Sequence, residues 1–137
     1  MQESGITPKR LEFNEAARAK LVNGIETIAN AVSSTLGPGG QTVLIESPHH
    51  THGITVTKDG VTVAKAVDLI DPTENLAVRM MKEAAERTAT SAGDGTTTSI
   101  VLTRALVRAG MHMIEDNAQK TDILRDLMSE TDKVVAS

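Results

Sequence analysis

The sequence predicts a mainly α-helical domain with one small β-hairpin, and three observations lead to this fold class. Apolar residues recur at three- and four-residue steps over most of the chain, which is typical of amphipathic helices. Two short β-branched runs flank a stretch rich in Pro, Gly and His, which is typical of a hairpin. The 137 residues include one Phe and no Trp or Tyr, so the core must be aliphatic, which suits close helix packing.

The first predicted helix runs from about residue 14 to residue 36. Asn14 is a suitable N-cap with Glu15 in the first turn. Gly37-Pro38 ends the helix, because glycine can adopt the left-handed conformation and proline cannot continue a helix. The predicted apolar face consists of Leu21, Ile25, Ile28, Val32 and Leu36.

A hairpin follows, with strands at 42–45 and 54–57 around a long tip at 47–53. The tip contains His49, His50 and His52. A metal site there is one interpretation, but an exposed turn without nearby Cys or carboxylate is better explained as solvated.

Four further segments complete the pattern, beginning with a short helix at 61–67. Asp71 as N-cap, Pro72 in the first helical position and Glu74 two residues later form a strong helix start. This helix continues to about residue 93, another begins near Gly95, and Thr121 can cap a last helix that continues to the end of the chain. The predicted apolar face of the helix that ends near residue 93 consists of Leu76, Met80, Ala84 and Ala85. That of the helix beginning near Gly95 consists of Ile100, Val101, Ala105, Leu106, Ala109 and Met113. That of the last helix consists of Ile123, Leu124, Leu127, Met128, Val134 and Val135.

Composition excludes several classes of function. A net charge of -4 and the absence of aromatic stacking platforms argue against nucleic acid as a partner. The chain has no Cys, which excludes disulfide and thiolate chemistry. Neither a signal-peptide pattern nor an apolar run of membrane length is present, so we expect a soluble, cytoplasmic protein without a membrane partner.

Three glycine-containing loops carry groups that a nucleotide phosphate needs. In the loop 93–98, the start of a helix offers free N–H groups and a favourable dipole, and Thr96, Thr97 and Thr98 add hydroxyl groups. Gly95 permits close approach of the backbone. Asp94 would repel phosphate directly, but a carboxylate beside a phosphate site is a typical Mg²⁺ ligand.

The other two loops are 35–40, where a helix opens into a Gly-Pro turn, and Lys58-Asp59-Gly60. The second offers a cation for phosphate oxygens and a carboxylate for a metal ion or water. Each loop alone is better explained as an ordinary helix end or cap than as a phosphate site, and no Walker A pattern occurs in the chain.

The order and spacing of the three loops resemble the N-terminal equatorial segment of group I (GroEL-type) chaperonins. The matching motifs are Thr35-Leu36-Gly37-Pro38, Thr57-Lys58-Asp59-Gly60-Val61-Thr62-Val63 and Ala92-Gly93-Asp94-Gly95-Thr96-Thr97-Thr98. The flanks at 13–18 and 122–125 also agree, so the resemblance extends from about residue 11 onward. It implies that 1–137 is the N-terminal half of an equatorial, nucleotide-binding domain.

The resemblance also implies roles for individual residues. Lys58 would reach the phosphates, Asp94 would ligate Mg²⁺, and Asp59 would act as the catalytic carboxylate of this segment by ordering the attacking water. The remaining nucleotide-binding residues would be Thr35, Leu36, Gly37, Pro38, Gly95, Thr96, Thr97 and Thr98. The implied cofactors are ATP and Mg²⁺, and the family also allows K⁺.

Three departures from the family pattern stand outside the 94–98 motif. Gly39 replaces a basic residue, the hairpin tip is longer and His-rich, and Gln119-Lys120-Thr121 replaces the usual Asn-Pro before the last helix. The hairpin of the family pairs with a neighbouring subunit, so altered ring contacts are expected.

The implied function is that of an ATP-dependent chaperonin subunit, which forms homo-oligomeric rings, assists folding of non-native polypeptides and works with a co-chaperonin lid in some members. The intermediate, apical and second equatorial segments, and the main catalytic carboxylate of the family, fall outside 1–137. We therefore expect weak nucleotide binding and negligible ATP turnover from this segment alone. The alternative is a truncated, non-catalytic module that binds or modulates intact rings.

Overall fold

A computed structural model describes residues 11–46, 53–115 and 119–137. These residues form five helices and one two-stranded antiparallel sheet, which confirms the predicted fold class. The elements in chain order are α1 (Asn14–Ser33), β1 (Val43–Glu46), β2 (Ile54–Thr57), α2 (Gly60–Ala66), α3 (Pro72–Ala92), α4 (Thr96–Glu115) and α5 (Lys120–Ala136). Among these elements, no helix has the length and apolar character needed to cross a bilayer.

The core lies where α1, α2, α3 and α4 meet, and it is small and aliphatic, as the composition predicted. Burying such side chains stabilises the fold by about 1.5–3 kcal/mol for each Val, Leu, Ile or Met. The hairpin covers one side of this core with Val43 and Ile45, while Leu44 and Val56, which are cross-strand partners, point outward. The buried core residues are Ile28, Ala29, Val32, Val63, Ala64, Val78, Met81, Ala85 and Ile100.

Helices α1 and α3 approach each other closely at Gly24. A Cβ atom at this position would lie 2.3 Å from the Glu74 carbonyl oxygen and 3.0 Å from the Ala77 Cβ. The contact therefore requires glycine in α1 and a small residue in α3, and it fixes how far apart the two helix axes lie.

Polar contacts join the same helices at the surface. The Lys20 ammonium lies 2.6 Å from a Glu12 carboxylate oxygen and 2.8 Å from an Asp71 carboxylate oxygen. Asp71 also caps α3 by accepting from the N–H groups of Thr73 and Glu74, which confirms the predicted helix start. The Lys20 hydrogen bond lowers the pKa of Asp71 to about 2.

Helix α1 begins at residue 14 as predicted, but its predicted N-cap and its predicted C-terminal end are wrong. Asn14 is the first helical residue, with φ at 60°, and Phe13 takes the N-cap position without a side-chain hydrogen bond. The helix ends at Ser33, because the N–H groups of Thr35 and Leu36 bond to carbonyls three residues back and tighten the chain into a turn. Leu36 is therefore half exposed in a loop instead of buried on the helix face.

The predicted buried stripe of α3 is displaced around the helix. Leu76, Met80 and Ala84 are exposed, and of the predicted residues only Ala85 is buried. The inward residues are Ala77, Val78, Met81 and Ala85. The close contact with Gly24 explains the rotation, because only a small residue such as Ala77 can face the α1 backbone at that distance.

The predicted apolar face of α5 is not part of the core. None of its residues is buried, and Val134 and Val135 are largely exposed. Gln119 occupies the N-cap position without a side-chain bond, so the predicted cap at Thr121 is also wrong. Most of the predicted face of α4 is likewise half-buried or exposed, and Ile100 alone of that set is buried.

Candidate functional site

The three predicted loops converge at Gly60, the first residue of α2. A Cβ atom at Gly60 would lie 2.9 Å from Thr35 Oγ1, which belongs to the first loop, and 2.3 Å from Thr97 Oγ1, which belongs to the third. Gly60 is thus in van der Waals contact with Thr35 and with Thr97, although the three residues are far apart in sequence. Glycine is required here by close approach, because any side chain would separate the loops.

The first loop is held in a closed turn by its own backbone. Gly37 adopts φ of 79°, the Gly40 N–H donates to the Gly37 carbonyl over 3.0 Å, and the Gln41 N–H donates to the Ser34 carbonyl over 2.7 Å. The Thr35 hydroxyl donates to the Val32 carbonyl over 2.7 Å, which points its oxygen lone pairs away from α1. Leu36, Gly37 and Pro38 are exposed around this turn and accessible to a ligand.

In the second loop, Asp59 is the N-cap of α2. Its carboxylate accepts from the backbone N–H groups of Val61 and Thr62, over 3.2 and 3.0 Å, and from the Thr62 hydroxyl over 2.6 Å. These bonds, led by the one from the Thr62 side chain, hold the pKa of Asp59 below its ordinary value. Asp59 and the preceding Lys58 are both exposed, so a ligand can reach either side chain.

The third loop joins α3 to α4 through two glycines in the left-handed region. Gly93 has φ of 77° and forms the C-cap of α3, and Gly95 has φ of 96° directly before α4. Since Gly95 has no side chain, it provides no side-chain cap for the first N–H groups of α4, and a helix start of this kind favours an anion. The Asp94 carboxylate is exposed and accepts from the Gly95 N–H over 2.6 Å.

Thr96 faces a different part of the molecule from Thr97. It is only 6% exposed and lines a cleft of about 280 Å³ between α2 and α3. None of the other predicted site residues lines this cleft, whose walls include Ala64, Lys65 and Glu86. Thr35 and Thr97 therefore meet at Gly60, whereas Thr96 lines the cleft between α2 and α3.

The residues present fit a magnesium ion that is bound together with phosphate. No group of three or more His, Cys, Asp or Glu side chains that could hold a metal occurs within 11–46, 53–115 and 119–137. Asp94 would thus be a single carboxylate ligand, and Mg²⁺ is commonly bound by one or two carboxylates with phosphate oxygens and water completing its shell. The predicted histidine turn lies outside the described residues.

Sequence reasoning missed two contributors to the site. Gly60 was recognised only as part of a loop motif, because nothing in the sequence reveals which backbone it approaches. Thr62 could have been found, since an Asp N-cap followed three residues later by a hydroxyl residue is a recognisable capping pattern. The Thr62 hydroxyl donates to Asp59, which is both the N-cap of α2 and the predicted catalytic carboxylate.

Comparisons with known proteins agree with this architecture. The sequence model of the TCP-1/cpn60 chaperonin family matches residues 28–137. Heat shock protein 60 of Emericella nidulans is 44% identical over 135 residues, which are 98% of this chain and 23% of that protein. The chain therefore spans about a quarter of the length of this relative.

Two solved structures of the chaperonin gp146 from bacteriophage EL 2 (Pseudomonas aeruginosa), both determined in the presence of ATP-BeFx, also match. One is 36% identical with a TM-score of 0.64 and covers 77% of this chain and 18% of the phage chain. The other is 39% identical with a TM-score of 0.61 and covers 68% of this chain and 16% of the phage chain. The chain belongs to the TCP-1/cpn60 chaperonin family, and the resemblance inferred from the three loops is confirmed.

Proposed function

We propose that this chain supplies the phosphate- and magnesium-binding loops of an ATP-dependent chaperonin subunit, as the N-terminal half of its equatorial domain. The observation that supports the proposal is the convergence of the three loops at Gly60, with Thr35 and Thr97 on either side. Membership of the chaperonin family supports this interpretation, and the structures of the phage relative were determined in the presence of ATP-BeFx.

The proposed ligand is ATP with Mg²⁺. Asp94 would hold the ion, which supplies positive charge to the phosphate oxygens, and the N–H groups at the start of α4 would bind those oxygens directly. Lys58 adds a cation from the second loop. Leu36, Gly37 and Pro38 would contact the nucleotide mainly through exposed backbone of the first loop.

Phosphoryl transfer to water needs positioning and charge neutralisation more than covalent chemistry from the protein. Asp59 would orient the attacking water, and its lowered pKa keeps it ionised as a hydrogen-bond acceptor. Ring assembly, folding of non-native polypeptides and multiple turnover are proposed for the complete subunit that carries this segment, because the chain spans 23% of its fungal relative.

The test is ATP titration of the chain with and without Mg²⁺, monitored by calorimetry. Asp94→Lys should abolish the magnesium-dependent binding while the helical circular-dichroism spectrum stays unchanged, because Asp94 is exposed and makes no contact with the core. Asp132→Lys in α5 makes the same charge change at another exposed position and should bind ATP as the wild type does. Unchanged ATP affinity in Asp94→Lys would refute the site.

A truncated module that modulates intact rings is the competing function. Native mass spectrometry of the protein purified from its own source separates the two. Rings of subunits several times heavier than 14.5 kDa support the chaperonin subunit, and assemblies built only from 14.5 kDa chains support the module.

A further inference from the structure

The carboxylate of Asp59 has two oxygens with unequal surroundings. Oδ2 accepts two hydrogen bonds, from the Thr62 hydroxyl over 2.6 Å and from the Thr62 N–H over 3.0 Å. Oδ1 accepts one longer bond, from the Val61 N–H over 3.2 Å. Since a carboxylate oxygen can accept about two bonds in its plane, Oδ2 is saturated within the protein and Oδ1 keeps an acceptor position.

The residue is also fixed at its backbone. The Asp59 N–H donates to the Thr57 hydroxyl over 3.0 Å, and the next residue, Gly60, is enclosed by Thr35 and Thr97. Asp59 is therefore held beside the start of α4, where the proposed phosphate site lies. Its side chain remains exposed, so water can reach Oδ1.

We infer that Thr62 is a positioning residue for ATP hydrolysis, which fixes the Asp59 carboxylate so that Oδ1 accepts a hydrogen bond from the attacking water. This inference rests on the proposed function. An ordinary helix cap needs only the two backbone N–H bonds, and the short bond from the Thr62 hydroxyl is additional to them. Removing it would leave α2 capped and would let the carboxylate rotate.

The reaction served is attack of the water oxygen on the γ-phosphorus of ATP. The new P–O bond forms as the bond to the bridging oxygen breaks, ADP leaves, and the water proton ends on the released phosphate. The hydrogen bonds to Asp59 lower its pKa, which favours an acceptor that orients water over a base that keeps the proton.

The experiment measures steady-state ATP hydrolysis and MgATP affinity of the protein expressed from its complete gene. Thr62→Val removes the hydroxyl and keeps the side-chain shape, and Thr62→Ser restores the hydroxyl. We expect Thr62→Val to lower kcat about tenfold, the factor that corresponds to one hydrogen bond to a charged group, with the MgATP dissociation constant within about twofold. Thr62→Ser should recover most of the lost rate.

Thr131→Val is the matched control, because the Thr131 hydroxyl donates to the Leu127 carbonyl within its own helix, α5, over 2.7 Å. Its kcat should equal that of the wild type. Wild-type kcat in Thr62→Val, or equal losses in the Val and Ser variants, would overturn the inference and leave the proposed function intact. A wild-type protein that binds and hydrolyses no ATP would overturn the proposed function, and the inference with it.

Discussion

Gly60→Ala is the substitution that most directly tests the convergence of the three loops. The added Cβ would lie 2.3 Å from Thr97 Oγ1 and 2.9 Å from Thr35 Oγ1. Since non-bonded contacts are most favourable near about 3.5 Å, the closer overlap is roughly 1 Å. Side-chain rotation has a cost at both neighbours, because Thr97 Cγ2 already lies 3.3 Å from the new atom and rotation of Thr35 would break its hydrogen bond to the Val32 carbonyl.

The overlap must therefore be relieved by moving α2 away from α1 and α4. Overpacking of this kind costs about 1–3 kcal/mol. Gly110→Ala in α4 is the matched control, because among the described residues nothing beyond the adjoining backbone of α4 lies within 4 Å of its added Cβ. That variant should gain about 0.5–1 kcal/mol from helix propensity, so the free energies of unfolding of the two variants should differ by about 1.5–4 kcal/mol.

Urea denaturation followed by circular dichroism measures this difference, and the midpoints of the two variants should be separated by about 1 M. ATP titration measures the second consequence. A displacement of about 1 Å would misplace Thr35 and Thr97 at the proposed phosphate site, so Gly60→Ala should bind MgATP more weakly than the wild type. Wild-type stability together with wild-type ATP affinity in Gly60→Ala would refute the convergence.

Two further predictions concern the contact between α1 and α3. Gly24→Ala places a Cβ 2.3 Å from the Glu74 carbonyl oxygen, so it should lower the urea midpoint as Gly60→Ala does. The MgATP affinity of the folded protein should stay unchanged. A loss of affinity equal to that of Gly60→Ala would contradict the separate roles of the two glycines. The pKa of Asp71 is about 2, below its ordinary 3.8, so its contribution to stability is complete above pH 3.8 and is lost as the pH falls toward 2. The melting temperature of Asp71→Asn should therefore fall less between pH 3.8 and pH 2 than that of the wild type or of an Asp126→Asn control. An equal pH dependence in all three proteins would contradict the assigned role of the Lys20 hydrogen bond.

The sequence by itself determined those features whose causes are local. Asp71 and Pro72 specify the start of α3 because a carboxylate cap and a fixed φ act within one turn. Gly93 specifies its end because glycine tolerates the left-handed conformation. The loop motifs were recognisable for the same reason, since the residues that shape each loop are neighbours in the chain, and they were sufficient to indicate the family.

Only the tertiary structure decided which faces are buried and how the loops meet. The period of α3 allowed Leu76 and Met80 to face the core, but the close approach at Gly24 turned Ala77 and Val78 inward instead. The apolar residues of α5 match a helix period as well as those of α1 do, yet none is buried. The contacts of Gly60 at the site were also not predictable from the sequence. Its neighbours Thr35 and Thr97 belong to other loops, and such contacts depend on helix packing, which no local pattern specifies.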